Sequence, residues 1–221
     1  ESLKISVGHD SRLTAEELKT TIADTLVHIG VKVYDCGLAS TPSMFMSVVF
    51  PETRFDGSIM ITASHLPYNR NGLKFFNADG GLEHADITDL LETAAVLSAG
   101  QADISKVSKV DLISLYAQSL CEKIRLGVKA DDYDRPLAGL HIVVDAGNGA
   151  GGFFVRQVLE PLGADTAGSQ FLEPDGMFPN HIPNPENKQA MDSVRAATVE
   201  HHADMGIIFD TDVDRMSAVL H

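Results

Sequence analysis

The chain has 221 residues, enough for one large or two modest domains. Its 17 basic and 31 acidic residues leave a formal charge of −14, which argues against nucleic acid and against an anionic membrane as partners. No apolar run is long enough to span a bilayer and no stretch reads as a signal peptide; the two cysteines, Cys36 and Cys121, lie far apart in apolar contexts and read as reduced core thiols, so the cytoplasm or another reducing, soluble compartment is expected.

Residues 3–8 read as a strand. Thr14-Ala15-Glu16-Glu17 has the form of a capping box, and an amphipathic helix is predicted over 14–29, ended by Gly30. A short strand at 31–34, a short helix at 43–50 and strands at 57–62 and 73–76 follow. Helices are predicted at 84–97 and 110–124, separated by a polar stretch at 98–106, the second of them joining two domains. A new βα unit opens with a strand at 140–145 and a helix at 151–162. A strand at 164–168, a helix at 189–202 and strands at 205–209 and 216–220 complete the chain. Such alternation predicts an α/β fold with helices on both sheet faces. The two halves share one rhythm, which divides the chain into domains at 1–109 and 110–221.

Two loops carry candidate chemistry. The apolar strand Ser58-Ile59-Met60-Ile61-Thr62 feeds a loop that begins Ala63-Ser64-His65-Leu66-Pro67 and reaches Asn71-Gly72-Leu73-Lys74. A hydroxyl, an imidazole and an ammonium on one loop suit phosphate handling or nucleophilic chemistry; a serine bonding its own backbone in a turn is the plainer reading. The second loop, Asp210-Thr211-Asp212-Val213-Asp214-Arg215, follows the buried-strand pattern Met205-Gly206-Ile207-Ile208-Phe209. Three alternating carboxylates repel one another unless a hard cation sits among them, and oxygen-only ligands suit Mg²⁺ or Ca²⁺; a solvated acidic turn is the competing reading. An EF-hand is rejected, since Arg215 and His221 stand where it needs Gly and Glu. A phosphatase of the haloacid dehalogenase type fits weakly, because Asp214 stands where it has Thr or Val. The glycines at 147, 149, 151 and 152 miss the dinucleotide spacing and read as a tight strand-to-helix turn. His181, His201 and His202 lack metal-ligand spacing with a cysteine pair and are assigned no metal.

Together the two loops resemble those of the α-D-phosphohexomutases, the family of phosphoglucomutase, phosphomannomutase and phosphoglucosamine mutase. Thr62-Ala63-Ser64-His65-Leu66-Pro67 with Asn71-Gly72-Leu73-Lys74 is similar to the family's T-A-S-H-N-P…N-G-x-K phosphoserine loop, and residues 210–215 to its D-G-D-x-D-R metal loop. Four further segments fall in family order: Gly8-His9-Asp10-Ser11-Arg12, Gly37-Leu38-Ala39-Ser40-Thr41-Pro42, Val144-Asp145-Ala146-Gly147-Asn148-Gly149, and Pro174-Asp175-Gly176-Met177-Phe178-Pro179 with Pro183-Asn184-Pro185-Glu186. Three residues depart from the pattern: Leu66 for Asn, Thr211 for Gly and His9 for Arg. Thr211 must therefore avoid positive φ or accept strain.

The resemblance implies the first two of four α/β/α domains with mixed sheets, in a fragment or a truncated relative whose sugar-recognition and phosphate-clamping domains are missing. It implies a Mg²⁺-dependent mutase that moves phosphate between the 1- and 6-positions of a hexose phosphate through a phosphoserine and a sugar bisphosphate intermediate. Ser64 would carry the phosphoryl group and share Mg²⁺ with Asp210, Asp212 and Asp214. Lys74 and His65 would serve the catalytic loop, Arg215 would meet a phosphate oxygen, and Arg12 would belong to the phosphate site, chiefly as support for the serine loop. The two loops must then meet at the cleft between domains. Two other readings stay open: a non-catalytic relative that keeps the metal and phosphate site as a binding module, and ester hydrolysis with Asp210 as nucleophile.

Overall fold

The computed structural model describes residues 2–96 and 106–220. The first half builds a six-stranded mixed sheet in the order β5-β4-β3-β1-β2-β6. Its strands are β1 (Lys4–His9), β2 (Lys32–Leu38), β3 (Gly57–Ile61), β4 (Leu73–Asn77), β5 (Gly80–Gly81) and β6 (Ser108–Lys109). β1, β2, β3 and β6 run parallel, whereas β4 pairs antiparallel with β3 and β5 with β4. Alternation along these strands sends Val7, Val33, Ile59 and Ile61 to one face, where α1 (Ala15–His28) packs through Ala15 and Ala23. Cys36 and Met60 point to the other face, against Met44 of α2 (Thr41–Val49) and Leu112. The helices α3 (His84–Val96), α4 (Leu112–Val128) and α5 (Lys188–Glu200) complete the set.

The second half repeats the plan in a smaller form. β7 (Ile142–Asp145) runs parallel to β8 (Met205–Phe209), which pairs antiparallel with β9 (Met216–Leu220). One face packs Ile142, Val144, Ile207 and Phe209 against Val155, Val158 and Leu159; the other packs Val143 and Ile208 against Ala190, Val194 and Ala197 of α5. α4 bridges the halves: Leu112 belongs to the first core, while Ala117 and Cys121 lie in the second. Both cysteines are free and buried. Among the described residues no helix is long and apolar enough to cross a membrane.

Several elements differ from expectation. Thr14 makes no side-chain cap on α1; its hydroxyl accepts instead from Asn71 Nδ2 at 2.7 Å, so the tertiary partner wins over the local box. β2 runs on to Leu38 through Asp35 and Gly37, because pairing with β1 overrides their weak strand propensity. α2 begins two residues earlier than expected, behind a capping box made by Ser40 and Ser43. The helix expected at 151–162 is a 3₁₀ turn (Ala150–Gly152) running into a π turn (Val155–Leu159). The strand expected at 164–168 survives only as isolated bridges from Asp165 and Gln170 to residues 141 and 145. Between them the Asp165 side chain accepts from Ala167 N, and Gly168 adopts φ +86°, which turns the chain. β5 and β6 are not foreseen, since two-residue strands leave no pattern. Leu97 and most of the expected polar stretch fall outside the described residues.

Gly8 is required by the approach of α2. A Cβ there would lie 2.6 Å from Met44 Sδ and 3.0 Å from the Ala39 Cβ. Gly8→Val is therefore expected to cost about 1–3 kcal/mol by overpacking. In a urea-denaturation cycle with Met44→Ala, the double variant should lose less than the sum of the two single losses.

Candidate active site

The two loops named by the sequence leave equivalent ends of the two sheets, each where a central parallel strand turns into an antiparallel neighbour. The serine loop joins β3 to β4, and the aspartate loop joins β8 to β9. Ligand sites in α/β sheets gather at such carboxyl ends.

The serine loop is held from below by a buried ion pair. Asp10 and Arg12 have fully buried side chains, 3.1 Å apart. Arg12 donates to the carbonyls of Leu66 (3.0 Å), Pro67 (2.8 Å), Arg70 (3.0 Å) and Ser64. Its guanidinium is thus directed at Asp10 and at loop carbonyls, a position that suits the support of the serine loop expected of it. Asp10 Oδ2 accepts from Thr62 Oγ1 at 2.8 Å, and Thr62 Oγ1 accepts from Ser64 N at 2.8 Å. Burial raises the Asp10 carboxyl despite the opposing pull of Arg12. Ser64 itself sits at φ +51°, a left-handed conformation that costs free energy and is kept only because these bonds over-determine it.

Ser64 Oγ donates to Asp210 Oδ2 at 3.2 Å, across the boundary between the halves. Arg215 Nη2 bonds both Ser64 Oγ and His65 Nδ1. A guanidinium only donates, so His65 Nδ1 is the acceptor there and its proton lies on Nε2. Arg215 also lies 3.1 Å from Asp210 Oδ2, so it makes a salt bridge to a neighbouring carboxylate while Nη2 faces Ser64 Oγ. Lys74, carried on β4, places Nζ 2.7 Å from both Asp212 Oδ2 and Asp214 Oδ2. The structure thus brings together Ser64, His65, Lys74, Asp210, Asp212, Asp214 and Arg215, and sets Arg12 behind them.

Ligand atoms of the three aspartates all lie within 4.8 Å of one another. Asp212 Oδ1 is buried with no hydrogen-bond partner, a cost a native site offsets only with something that accepts its lone pair. The set therefore fits a hard cation. Burial, then the charges of Asp212 and Asp214, push the Asp210 carboxyl up to about 7. For Asp214, burial also acts upward, but the Lys74 ammonium prevails and holds it below the usual range. Burial opposes the charge on Lys74, and the two aspartates outweigh it and raise the ammonium. Thr211 is buried and keeps φ negative, so the glycine it replaces is not needed there; the left-handed residue of the loop is Val213, at φ +63°.

Residues outside the expected catalytic, phosphate and metal sets complete the floor. Gly149 carries the aspartate loop: a Cβ there would lie 2.6 Å from Thr211 O, and Ala150 N donates to the same carbonyl at 2.8 Å. This is the work of the Gly147-Asn148-Gly149 turn. Gly176 lets the 174–178 segment touch residues 11–13, with a would-be Cβ 2.5 Å from Ser11 O, and Phe178 stacks under Arg12, 5.7 Å from the guanidinium carbon to the ring centre. Thr41 bonds Asp212 from the first half. The motifs named these segments, but only their meeting shows what each does. Leu66 lines an apolar cavity of about 180 Å³ with Met177, Ile182 and Pro183, which accounts for a leucine at that position. His9 bonds Asp10 O and Glu16 Oε1 away from the cluster. His181 is buried against Asp145, with Nε2 3.0 Å from each carboxylate oxygen, and serves packing.

Two outcomes follow. Arg12→Ala strands Asp10 as an unpaired buried charge and should cost about 3–5 kcal/mol in urea denaturation; a loss below about 1 kcal/mol would show that the loop does not depend on the pair. The second concerns pH in chelator-treated protein. A carboxyl raised in the folded state binds its proton more tightly there than in the unfolded chain. Asp210 therefore withdraws stability as pH climbs from its ordinary 3.8 towards about 7. Asp210→Asn should flatten this fall, so that its Tm relative to wild type is higher at pH 8 than at pH 5.

Comparison with known proteins agrees with this layout. Residues 1–97 match the family described as phosphoglucomutase/phosphomannomutase, alpha/beta/alpha domain I, and residues 115–221 match domain II of the same family. The chain is 35% identical over 223 residues to a phosphomannomutase of Escherichia coli, covering 96% of this chain and 46% of that protein. It is 32% identical over 216 residues to a phosphomannomutase/phosphoglucomutase of Pseudomonas putida, covering 98% and 44%. Among solved structures, a phosphoglucomutase/phosphomannomutase family protein from Burkholderia thailandensis superposes with a TM-score of 0.80 at 28% identity, over 99% of this chain and 46% of its own. The chain spans about half the length of the curated relatives it matches. With both domain models matched in order over a fold that pairs their loops, the chain belongs to the phosphoglucomutase/phosphomannomutase family.

Proposed function

We propose that this chain supplies the phosphoserine and metal-binding half of a phosphohexomutase, an intramolecular phosphotransferase that moves phosphate between the 1- and 6-positions of a hexose phosphate through a bisphosphorylated sugar. The observation that carries the reading is the 3.2 Å contact between Ser64 Oγ and Asp210 Oδ2, which joins the loop of one half to that of the other.

Phosphoryl transfer leaves little covalent work to a protein; alignment and charge neutralisation dominate. Ser64 Oγ is the acceptor, presented by a loop that Arg12 keeps rigid. Asp210 Oδ2 accepts the serine hydrogen bond and is the base in contact with the proton that leaves when Oγ is phosphorylated. Arg215 Nη2, already on Ser64 Oγ, supplies a positive donor where the oxygens of a phosphorylated serine would lie. Lys74 brings a second cation, held in its charged form by Asp212 and Asp214. Asp210, Asp212 and Asp214 would hold Mg²⁺, which when bound contributes Lewis-acid neutralisation of phosphate charge. Asp210 as a nucleophile is disfavoured, because Arg215 N and Nε engage its two oxygens at 3.1 and 3.2 Å.

The test uses the chain as it stands. Incubated with glucose 1,6-bisphosphate and Mg²⁺, the wild type should gain the mass of one phosphoryl group, and Ser64→Ala should gain none. An unmodified wild type would overturn the phosphoserine reading in favour of a binding module. Mutase turnover by the chain alone should be negligible, since alignment by the rest of the cleft supplies several kcal/mol of barrier reduction; turnover at the rate of full-length relatives would refute that.

A further inference from the structure

Asp212 is the aspartate with the least freedom to choose its partners. It is fully buried, and its Oδ2 accepts from two donors of the first half: Thr41 Oγ1 at 2.5 Å and Lys74 Nζ at 2.7 Å. Its Oδ1 has no protein partner. Thr41 lies 171 residues away in sequence, at the first position of α2, and is itself buried. Its backbone N–H also donates to Asp212 O at 2.8 Å. Two bonds from one residue thus fix both the backbone and the carboxylate of Asp212, and a carboxylate pinned at Oδ2 must turn Oδ1 the other way.

Resting on the reading of Asp210, Asp212 and Asp214 as metal ligands, we propose that Thr41 is a positioning residue of the metal site, its hydroxyl holding the Asp212 carboxylate so that Oδ1 stays directed at the cation. Lys74 cannot perform this task alone. Its side chain is one-third exposed, and a divalent cation repels its ammonium, whereas a neutral hydroxyl keeps its bond. Thr41 also couples the halves: α2 stays seated on β3 and β4 while its first residue grips the loop after β8. A threonine at a helix start ordinarily serves the helix, but here Ser40 does the capping, which leaves the Thr41 hydroxyl for Asp212.

The experiment is Mn²⁺ titration of the 221-residue chain, followed by the electron paramagnetic resonance of the free ion, with urea midpoints recorded beside it. Thr41→Val keeps shape and the backbone N–H and removes only the hydroxyl. It should weaken Mn²⁺ binding about 10–100-fold, the usual effect of losing a hydrogen bond to a metal ligand. Thr41→Ser, which restores the hydroxyl, should recover most of that loss. Asp212→Asn tests the underlying reading: if it binds Mn²⁺ as the wild type does, the metal site is wrongly assigned. If Asp212→Asn loses binding while Thr41→Val retains it, or if Thr41→Ser is as weak as Thr41→Val, the role of Thr41 is overturned. Should Thr41→Val disturb the circular dichroism spectrum, Thr41→Ala takes its place under the same two criteria.

Discussion

Three carboxylates whose oxygens lie within 4.8 Å cannot share one short loop unless their mutual repulsion is answered from outside it. Within the loop only Arg215 carries the opposite sign, so the remaining partners come from the other half of the chain. Lys74 arrives from β4, Thr41 from the start of α2 and Ser64 from the end of β3. A chain with a formal charge of −14 thus concentrates two of its 17 cations on one point. The same need that assembles the site also ties the domains together.

The partners arrive together because the two halves share one plan. In each, a parallel strand at the centre of its sheet ends in a functional loop and returns as an antiparallel neighbour: β3 to β4 in the first, β8 to β9 in the second. The connections elsewhere serve this arrangement. Gly8 admits α2 close to the first sheet, which sets Thr41 at the height of Asp212; Gly149 lets the aspartate loop lie on the turn after β7. Each loop holds one left-handed residue that is not glycine, Ser64 in the first and Val213 in the second. Strain of this kind survives where surrounding bonds leave no alternative, and here the Asp10–Arg12–Thr62 network provides them beneath Ser64.

Much of this was legible in the residues. Apolar runs ending in chemistry-bearing loops located β3 and β8, and alternation of strand and helix gave the α/β plan with helices on both sheet faces. Expectation failed where a local rule met a stronger distant partner. Thr14 left its capping box for Asn71, and Asp35 and Gly37 joined β2 because β1 offered hydrogen bonds. The 151–162 segment tightened and then loosened into a π turn, and its Gly152 passes against Leu172 O, where a Cβ would lie at 2.1 Å. Arg12 is the instructive residue. The family resemblance pointed to a support for the serine loop, and full burial with four carbonyl acceptors shows how that support is made.

What the sequence by itself determined is the set of groups: a serine after a buried strand, three alternating aspartates with an arginine after another, and a lysine ten residues beyond the serine. Strand period, loop composition and like-charge repulsion are local properties, and they are readable along the chain. Only the tertiary structure decided who meets whom. Ser64 and Asp210 are 146 residues apart, and Thr41 and Asp212 are 171 apart, so their bonds depend on how α4 spans the two cores and how each sheet presents its loop. Hydrogen bonds act over about 3 Å and carry no trace in sequence spacing; packing of the two sheets brings these side chains within that range.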